Sequence, residues 1–243
     1  MNQKPTIIQP SRRQFIRNSS MLGAGMFLKL PNQFAMDKLH YDHFLVGCSS
    51  LETGIQYIKN KTGVEAIPGG KHPTIGTHNA LISLGDKTYL EIIAPDPEAT
   101  SLVSDYTFLK ELKNPELFYW AARTENMDAL LKKINDAGYK NSGIHPGSRE
   151  RKDGTLLKWR SLSVGTAIAN DVIPFFIEWD KNSKHPSVDA PKGCTIESFE
   201  INYSEPDQLK KFFRQLNIQV SVKGGAKTTL QLKIKTPKGI VLL

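Results

Sequence analysis

The chain has 243 residues, 39% of them hydrophobic and 23% charged, with a formal charge of +8 at pH 7. That is enough for one large domain or two small ones around a real core, and the composition excludes a disordered or fibrous chain. Lys4, Arg12, Arg13, Arg17 and Lys29 lie within the first 35 residues, which hold no acidic residue, so the rest of the chain carries only +3. A nucleic-acid surface needs a clustered basic stripe. The lysines from Lys223 to Lys238 instead punctuate strand-like runs, where they read as solvated faces and edge protection.

In chain order, Ser11-Arg12-Arg13-Gln14-Phe15-Ile16-Arg17 precedes a short apolar stretch, Met21 to Leu30. A basic segment followed by a short apolar one is the order of a signal peptide, and paired arginines before Phe mark the twin-arginine type. Residues 1–35 are therefore expected to be a leader that sends a folded protein to the bacterial periplasm. Its apolar part is far shorter than the ~20 residues of a membrane span, so membrane contact is expected only through the leader. Asn32-Gln33-Phe34-Ala35 has no clean small-x-small pattern, which leaves open where the leader is cut or whether it stays as an anchor.

Residues 36–243 read as one domain with a loose internal repeat. In the first unit, Leu39 to Cys48 is a strand, Ser49 and Ser50 offer a cap to a helix over Leu51 to Lys61, and Gly63 ends it. Strands follow at Val64–Ile67, Asn79–Leu84 and Thr88–Ala94, the last two joined at Gly85-Asp86. Leu102 to Leu112 is a helical connector. The second unit has a strand at Phe118–Arg123, a helix from Met127 to Ala137 capped by Thr124 and closed by Gly138, and strands near Leu156–Ser163 and Val172–Trp179. The third has a strand at Thr195–Tyr203 and a helix entered through Pro206, a favoured first-turn position. Leu209, Phe212, Phe213 and Leu216 give that helix an apolar face. Strands at Ile218–Val222, Thr229–Ile234 and Ile240–Leu243 complete it. Cys48 and Cys194 each sit in an apolar run. Export permits a bridge, but buried free thiols are the favoured reading.

The recurring β-α-β-β-β order, with modules at about 39–97, 117–180 and 194–243, predicts an α+β fold. Tandem modules would form a curved mixed sheet around a pocket, with helices on the outer face. A small molecule is the expected partner of such a pocket. No Gly-x-Ser-x-Gly elbow or His-Glu-x-x-His helix appears, so hydrolase and metalloprotease chemistry lack support.

Several segments carry a family resemblance. They are Asp42-His43-Phe44-Leu45-Val46-Gly47, Pro68-Gly69-Gly70-Lys71-His72-Pro73, Gly76-Thr77-His78-Asn79-Ala80-Leu81, Tyr89-Leu90-Glu91-Ile92-Ile93-Ala94-Pro95-Asp96-Pro97 and Ile173-Pro174-Phe175-Phe176-Ile177-Glu178-Trp179. His185-Pro186 and Thr236-Pro237-Lys238-Gly239 fit as well. Together they resemble the glyoxalase-like domain proteins of the vicinal-oxygen-chelate superfamily, from about residue 39 to the end. The resemblance implies lyase-, isomerase- or dioxygenase-type chemistry on an oxygen-bearing molecule, and a paired-module or homodimeric assembly. It also implies metal ligands on the first and fourth strands of each module, hence His43 and Glu91 as metal-binding and catalytic residues.

Strand alternation agrees with this, placing Tyr41, His43 and Leu45 on one face and Tyr89, Glu91 and Ile93 on one face. A Glu inside the apolar run 89–94 is costly to bury unless paired or metal-bound. One divalent Zn, Fe, Mn or Ni ion would suit His and Glu donors. In the second module, aligning the two helix starts puts Tyr119 at the position of His43, and aligning Asp96 with Asp180 puts Phe175 at that of Glu91. Either Glu178 or His78 completes an altered metal site, or there is none and the protein is a metal-free binder. His78 and Asn79 beside the glycine-rich stretch 69–76, together with Tyr119 and Arg160, are candidate substrate-binding residues. Arg160 either grips a substrate carboxylate bidentately or is an exposed strand arginine, and the alternative for Glu91 is a carboxylate paired with Arg160 or a lysine.

Overall fold

The computed structural model describes residues 38–85, 87–151, 154–165 and 172–243. The expected leader lies outside the described residues, as does Asp86 of the first hairpin. An eight-stranded sheet is built from two βαβββ modules. The first runs β1 (His40–Gly47), α1 (Leu51–Thr62), β2 (Ile67–His72), β3 (Thr77–Ser83) and β4 (Tyr89–Pro95). A 3-10 helix, Ser104–Glu111, connects it to β5 (Glu116–Arg123), α2 (Met127–Asp136), β6 (His145–Glu150), β7 (Leu156–Leu162) and β8 (Phe175–Trp179).

The strand order is β2-β3-β4-β1-β5-β8-β7-β6. In each module the first and last strands pair in parallel, and β1 pairs antiparallel with β5 at the join. The two free edges, β2 and β6, come back together where Arg149 Nη1 donates to the Gly69 carbonyl. The sheet is therefore a nearly closed, curved wall around a pocket, as the repeat predicts.

Local chemistry sets the helix ends. The Ser50 hydroxyl accepts from the Thr53 amide at 3.2 Å, and Gly63 takes the left-handed conformation that closes α1 (φ 79°). For α2 the cap is Asn126, whose side chain accepts from the Ala129 amide at 3.0 Å. The Thr124 hydroxyl caps only the turn before it, accepting from the Asn126 amide. Outward-facing Phe44, Val46, Ile82, Leu90, Ile92, Trp120 and Phe176 pack against Ile58 of α1 and Leu130 and Ile134 of α2. Each such side chain stabilises the fold by roughly 1.5–3 kcal/mol of apolar burial.

The third unit keeps the order of elements but not the pairing. β9 (Thr195–Tyr203), α3 (Pro206–Gln215), β10 (Ser221–Gly224), β11 (Thr229–Thr236) and β12 (Gly239–Leu242) form a separate four-stranded sheet, ordered β10-β9-β11-β12. Its first strand is central, flanked in parallel by β10 and antiparallel by β11. Phe199 and Phe213 cover the outer face of the main sheet at Tyr41, Phe44 and Trp120. The apolar face expected for α3 is buried there.

Three local expectations are corrected. The second strand of module one is Ile67–His72, not Val64–Ile67, and module two has a strand at His145–Glu150 that the sequence does not announce. Both are edge strands rich in Pro and Gly, tolerated there because an edge needs only one set of ladder bonds. A β-bulge between Tyr41 and His43 breaks the alternation in β1. Tyr41 therefore turns to the outer core, and its hydroxyl donates to the Gln219 carbonyl, while Asp42 and His43 are both buried. The thiols of Cys48 and Cys194 are free and buried. Burial pushes the Cys48 thiol up to about 12. Among the described residues no helix is long and apolar enough to cross a membrane.

Candidate active site

The concave face of the main sheet encloses a cavity of about 1160 Å³ lined by both modules. From module one, His43, Leu45, Tyr89, Glu91 and Ile93 face into it, so the predicted alternation holds at these positions. His72 and Asn79 join them from β2 and β3. From module two come Tyr119, Phe175, Trp159, Trp179 and Arg149, with Tyr106 contributed by the connector.

Glu91 is 5% exposed and Asn79 3%. One Glu91 oxygen, Oε1, accepts from Asn79 Nδ2 at 2.6 Å; the other, Oε2, lies 3.4 Å from His43 Nε2. His72 Nε2 stands 3.9 Å from Oε1 and 3.4 Å from Asn79 Nδ2. Burial lowers the pKa of His72, opposed by the Glu91 charge, so its ring is held toward the neutral form. Burial also raises the Tyr89 hydroxyl well above its ordinary value, with Glu91 and Asp42 adding to the effect, and raises Tyr106 likewise. Both phenols stay protonated. Asn79 Oδ1 is buried with no hydrogen-bond partner, because the amide turns its NH2 to the carboxylate. It lies against Gly69, where a Cβ would collide with it and with Leu81.

Behind His43 lies Asp42, wholly buried. His43 Nδ1 is 2.7 Å from Asp42 Oδ1, while Trp179 Nε1 and His185 Nε2 reach Oδ2 at 3.0 and 3.2 Å. The His43 ring is stacked on Tyr89 (4.6 Å, 17°) and touched edge-on by Phe175 (5.3 Å).

The other expected residues divide. Tyr119 lines the pocket and stacks on Phe175 at 5.6 Å. His78 does not line it. As the strand neighbour of Asn79 it points to the opposite face, near Asp96 and Lys71, where burial lowers its pKa. Arg160 touches the pocket, but its Nε and Nη2 bond Glu178 Oε2 at 2.6 and 2.5 Å and its Nη1 bonds Asp128 at 2.9 Å. It is the partner of Glu178, not of Glu91. Glu178 also accepts from the Met127 amide at 3.3 Å, an acidic group at the start of α2 where the helix dipole favours it.

The donor set does not fit the four-ligand metal site that the resemblance implies. Leu45 pairs with Glu91 across β1 and β4, and Ala121 pairs with Phe175 across β5 and β8. Stepping two residues back along β1 and β5 gives His43 and Tyr119. The second module thus places two aromatic rings at the positions that hold His and Glu in the first. Among the described residues no group of three or more His, Cys, Asp or Glu side chains is arranged to hold a metal ion.

His72, Asp42, Trp179, His185 and Arg149 are the site residues that sequence reasoning missed. The motif Gly69-Gly70-Lys71-His72 flagged the first only by neighbourhood.

A family profile described as "Glyoxalase-like domain" matches residues 41–216. Among solved structures, a hypothetical protein from Staphylococcus aureus is similar at 16% identity and a TM-score of 0.62, over 84% of this chain and 98% of that one. A methylmalonyl-CoA epimerase of Streptomyces coelicolor, in complex with 2-nitronate-propionyl-CoA, reaches 17% identity and 0.45, over 61% and 99%. The methylmalonyl-CoA epimerase from Mycobacterium tuberculosis reaches 15% and 0.42, over 62% and 93%. At these identities the likeness speaks to the fold alone. No curated protein matches the sequence.

Proposed function

This chain belongs to the glyoxalase-like domain family, and from that premise we propose that it is an enzyme acting on a small oxygen-bearing molecule through Glu91 as general base. The observation that carries this reading is the Glu91 carboxylate, buried beside the cavity, with one oxygen fixed by Asn79 and the other facing His43. A carboxylate kept from bulk water and held by a single neutral donor is a competent proton acceptor. Its task is to take a proton from the carbon beside a substrate carbonyl. The C–H bond breaks, the proton goes to Glu91, and the electron pair moves onto the carbonyl oxygen as an enolate. In an α-hydroxy carbonyl compound the hydroxyl proton then passes to the enolate oxygen and the proton held by the enzyme is delivered to the former carbonyl carbon, which completes the isomerisation; Arg149 brings a positive charge to the same pocket. The cavity is larger than that of a typical drug-sized ligand, ~300–1,000 Å³, so a substrate with a substantial non-reacting part fits.

The test is exchange in D2O. A panel of α-hydroxy and α-oxo carbonyl compounds is incubated with the protein and examined by mass spectrometry for deuterium beside the carbonyl. Glu91→Gln should lower the rate by about 10²–10⁴-fold, the usual weight of a general base. A second reading, a binding or sequestering protein, is favoured by the rings of Tyr119 and Phe175, which line the pocket at the module-two positions where module one has His43 and Glu91. It is the outcome if compounds raise the melting temperature but none exchanges. The leader supports export in the folded state to the periplasm. Replacing both Arg12 and Arg13 with Lys should leave the protein in the cytoplasmic fraction, and unchanged periplasmic yield would refute that placement.

A further inference from the structure

With Asp42 ionised, the polar groups around it have one consistent arrangement of hydrogens on the side that faces its carboxylate. The Ser187 backbone N–H donates to His185 Nδ1 at 3.2 Å, so that nitrogen carries a lone pair and the ring hydrogen sits on Nε2. His185 Nε2 therefore donates to Asp42 Oδ2 at 3.2 Å. Trp179 Nε1, which can only donate, reaches the same oxygen at 3.0 Å, and Arg123 Nη1 stands 3.5 Å away. Two donors fixed on Oδ2, Trp179 Nε1 and His185 Nε2, with the Arg123 guanidinium beside them, favour the ionised carboxylate without any contribution from His43. An ionised Asp42 accepts only, so the 2.7 Å contact from Oδ1 requires the hydrogen on His43 Nδ1. Tyr89 and Phe175 keep the ring from turning.

We infer that Asp42 is a positioning residue that locks His43 as the Nδ1-protonated tautomer and so presents an unprotonated Nε2 to Glu91, making the pair a two-station proton relay. This rests on the reading of Glu91 as the base. The proton taken from substrate carbon arrives on Glu91 Oε2. That O–H bond breaks as an N–H bond forms at His43 Nε2, 3.4 Å away, and the imidazolium is neutralised by Asp42 behind it. Glu91 is ionised again, and His43 becomes the acid that delivers the proton to the enolate at a second atom. His72, Tyr89, Tyr106 and Arg149 are the other titratable groups around Glu91, and none of them donates to His43 in the described contacts. The relay also ties the two modules together, since Trp179 belongs to β8 and His185 to the segment after it.

The experiment is long-range ¹H–¹⁵N correlation on the full chain labelled with [¹⁵N]histidine, at pH about 8, above the ordinary histidine range. Wild-type His43 should carry its hydrogen on Nδ1. Asp42→Asn should reverse this. The new amide must turn its oxygen to the two fixed donors Trp179 and His185, so its NH2 faces His43 Nδ1 and drives the hydrogen to Nε2. If Asp42→Asn does not fold, Glu91→Gln serves. Its oxygen stays with Asn79, its NH2 faces His43 Nε2, and the Nδ1–H tautomer should persist. An Nε2–H in wild type or in Glu91→Gln, or an unchanged tautomer in folded Asp42→Asn, overturns the inference. The readout needs no turnover, so absence of deuterium exchange with every compound would sink the proposed reaction and leave the tautomer result standing.

Discussion

A carboxylate inside Tyr89-Leu90-Glu91-Ile92-Ile93 is a local anomaly, and the structure resolves it with one amide. Asn79 gives its NH2 to Glu91 and leaves its oxygen unpaired against Gly69. Gly69→Ala should therefore push Asn79 off the carboxylate. We expect a loss of about 1–3 kcal/mol, typical of overpacking, in a thermal melt, together with slower deuterium exchange. An unchanged melt and rate would mean the amide has room to move. Glu91 and His43 were legible in the sequence because a polar residue in an apolar strand is visible without knowing its neighbours. Asp42 was not, since alternation would send it to the outer face. Only the bulge beside it puts two consecutive polar side chains in the interior, and no residue pattern in Tyr41-Asp42-His43 announces a bulge.

At the scale of elements, the central strands and helices α1, α2 and α3 could be read from apolar periodicity, with the cap read correctly at α1 and displaced from Thr124 to Asn126 at α2. The edges could not. β2 reads Ile-Pro-Gly-Gly-Lys-His and β6 His-Pro-Gly-Ser-Arg-Glu, compositions that signal turns. They are strands because a neighbour supplies the ladder on one side and Arg149 bridges the gap on the other. Arg149 is 7% exposed, and burial pulls its pKa down. Its bond to the Gly69 carbonyl is charge-assisted and should be worth about 1.5–3 kcal/mol. Arg149→Met should accelerate amide hydrogen exchange in residues 67–72 and 145–150 while β1 and β4 keep their protection. Uniform acceleration would instead indicate global destabilisation.

For the whole molecule, the repeat predicted the curved sheet, and its third copy predicted the elements but not their pairing. Pairing depends on which strand finds a partner, and in the third unit β9 lies between β10 and β11 instead of beside the last strand of its own unit. The two halves also differ in chemistry. The resemblance implies a metal shared between modules, and module two offers rings in its place. Stabilisation of the protein by a bound carbonyl compound should therefore survive treatment with EDTA, measured as the shift in melting temperature. Loss of that shift on chelation, restored by a divalent metal, would reinstate the metal.

The same asymmetry bears on handedness. A duplicated fold brings an approximate twofold axis, and a pocket that respected it would receive a ligand equally well in two poses. With Glu91 and His43 on one side of that axis and Tyr119 and Phe175 on the other, the two poses are no longer equivalent. On the proposed reaction a prochiral carbon meets the base from a single side, and the product should form as one enantiomer.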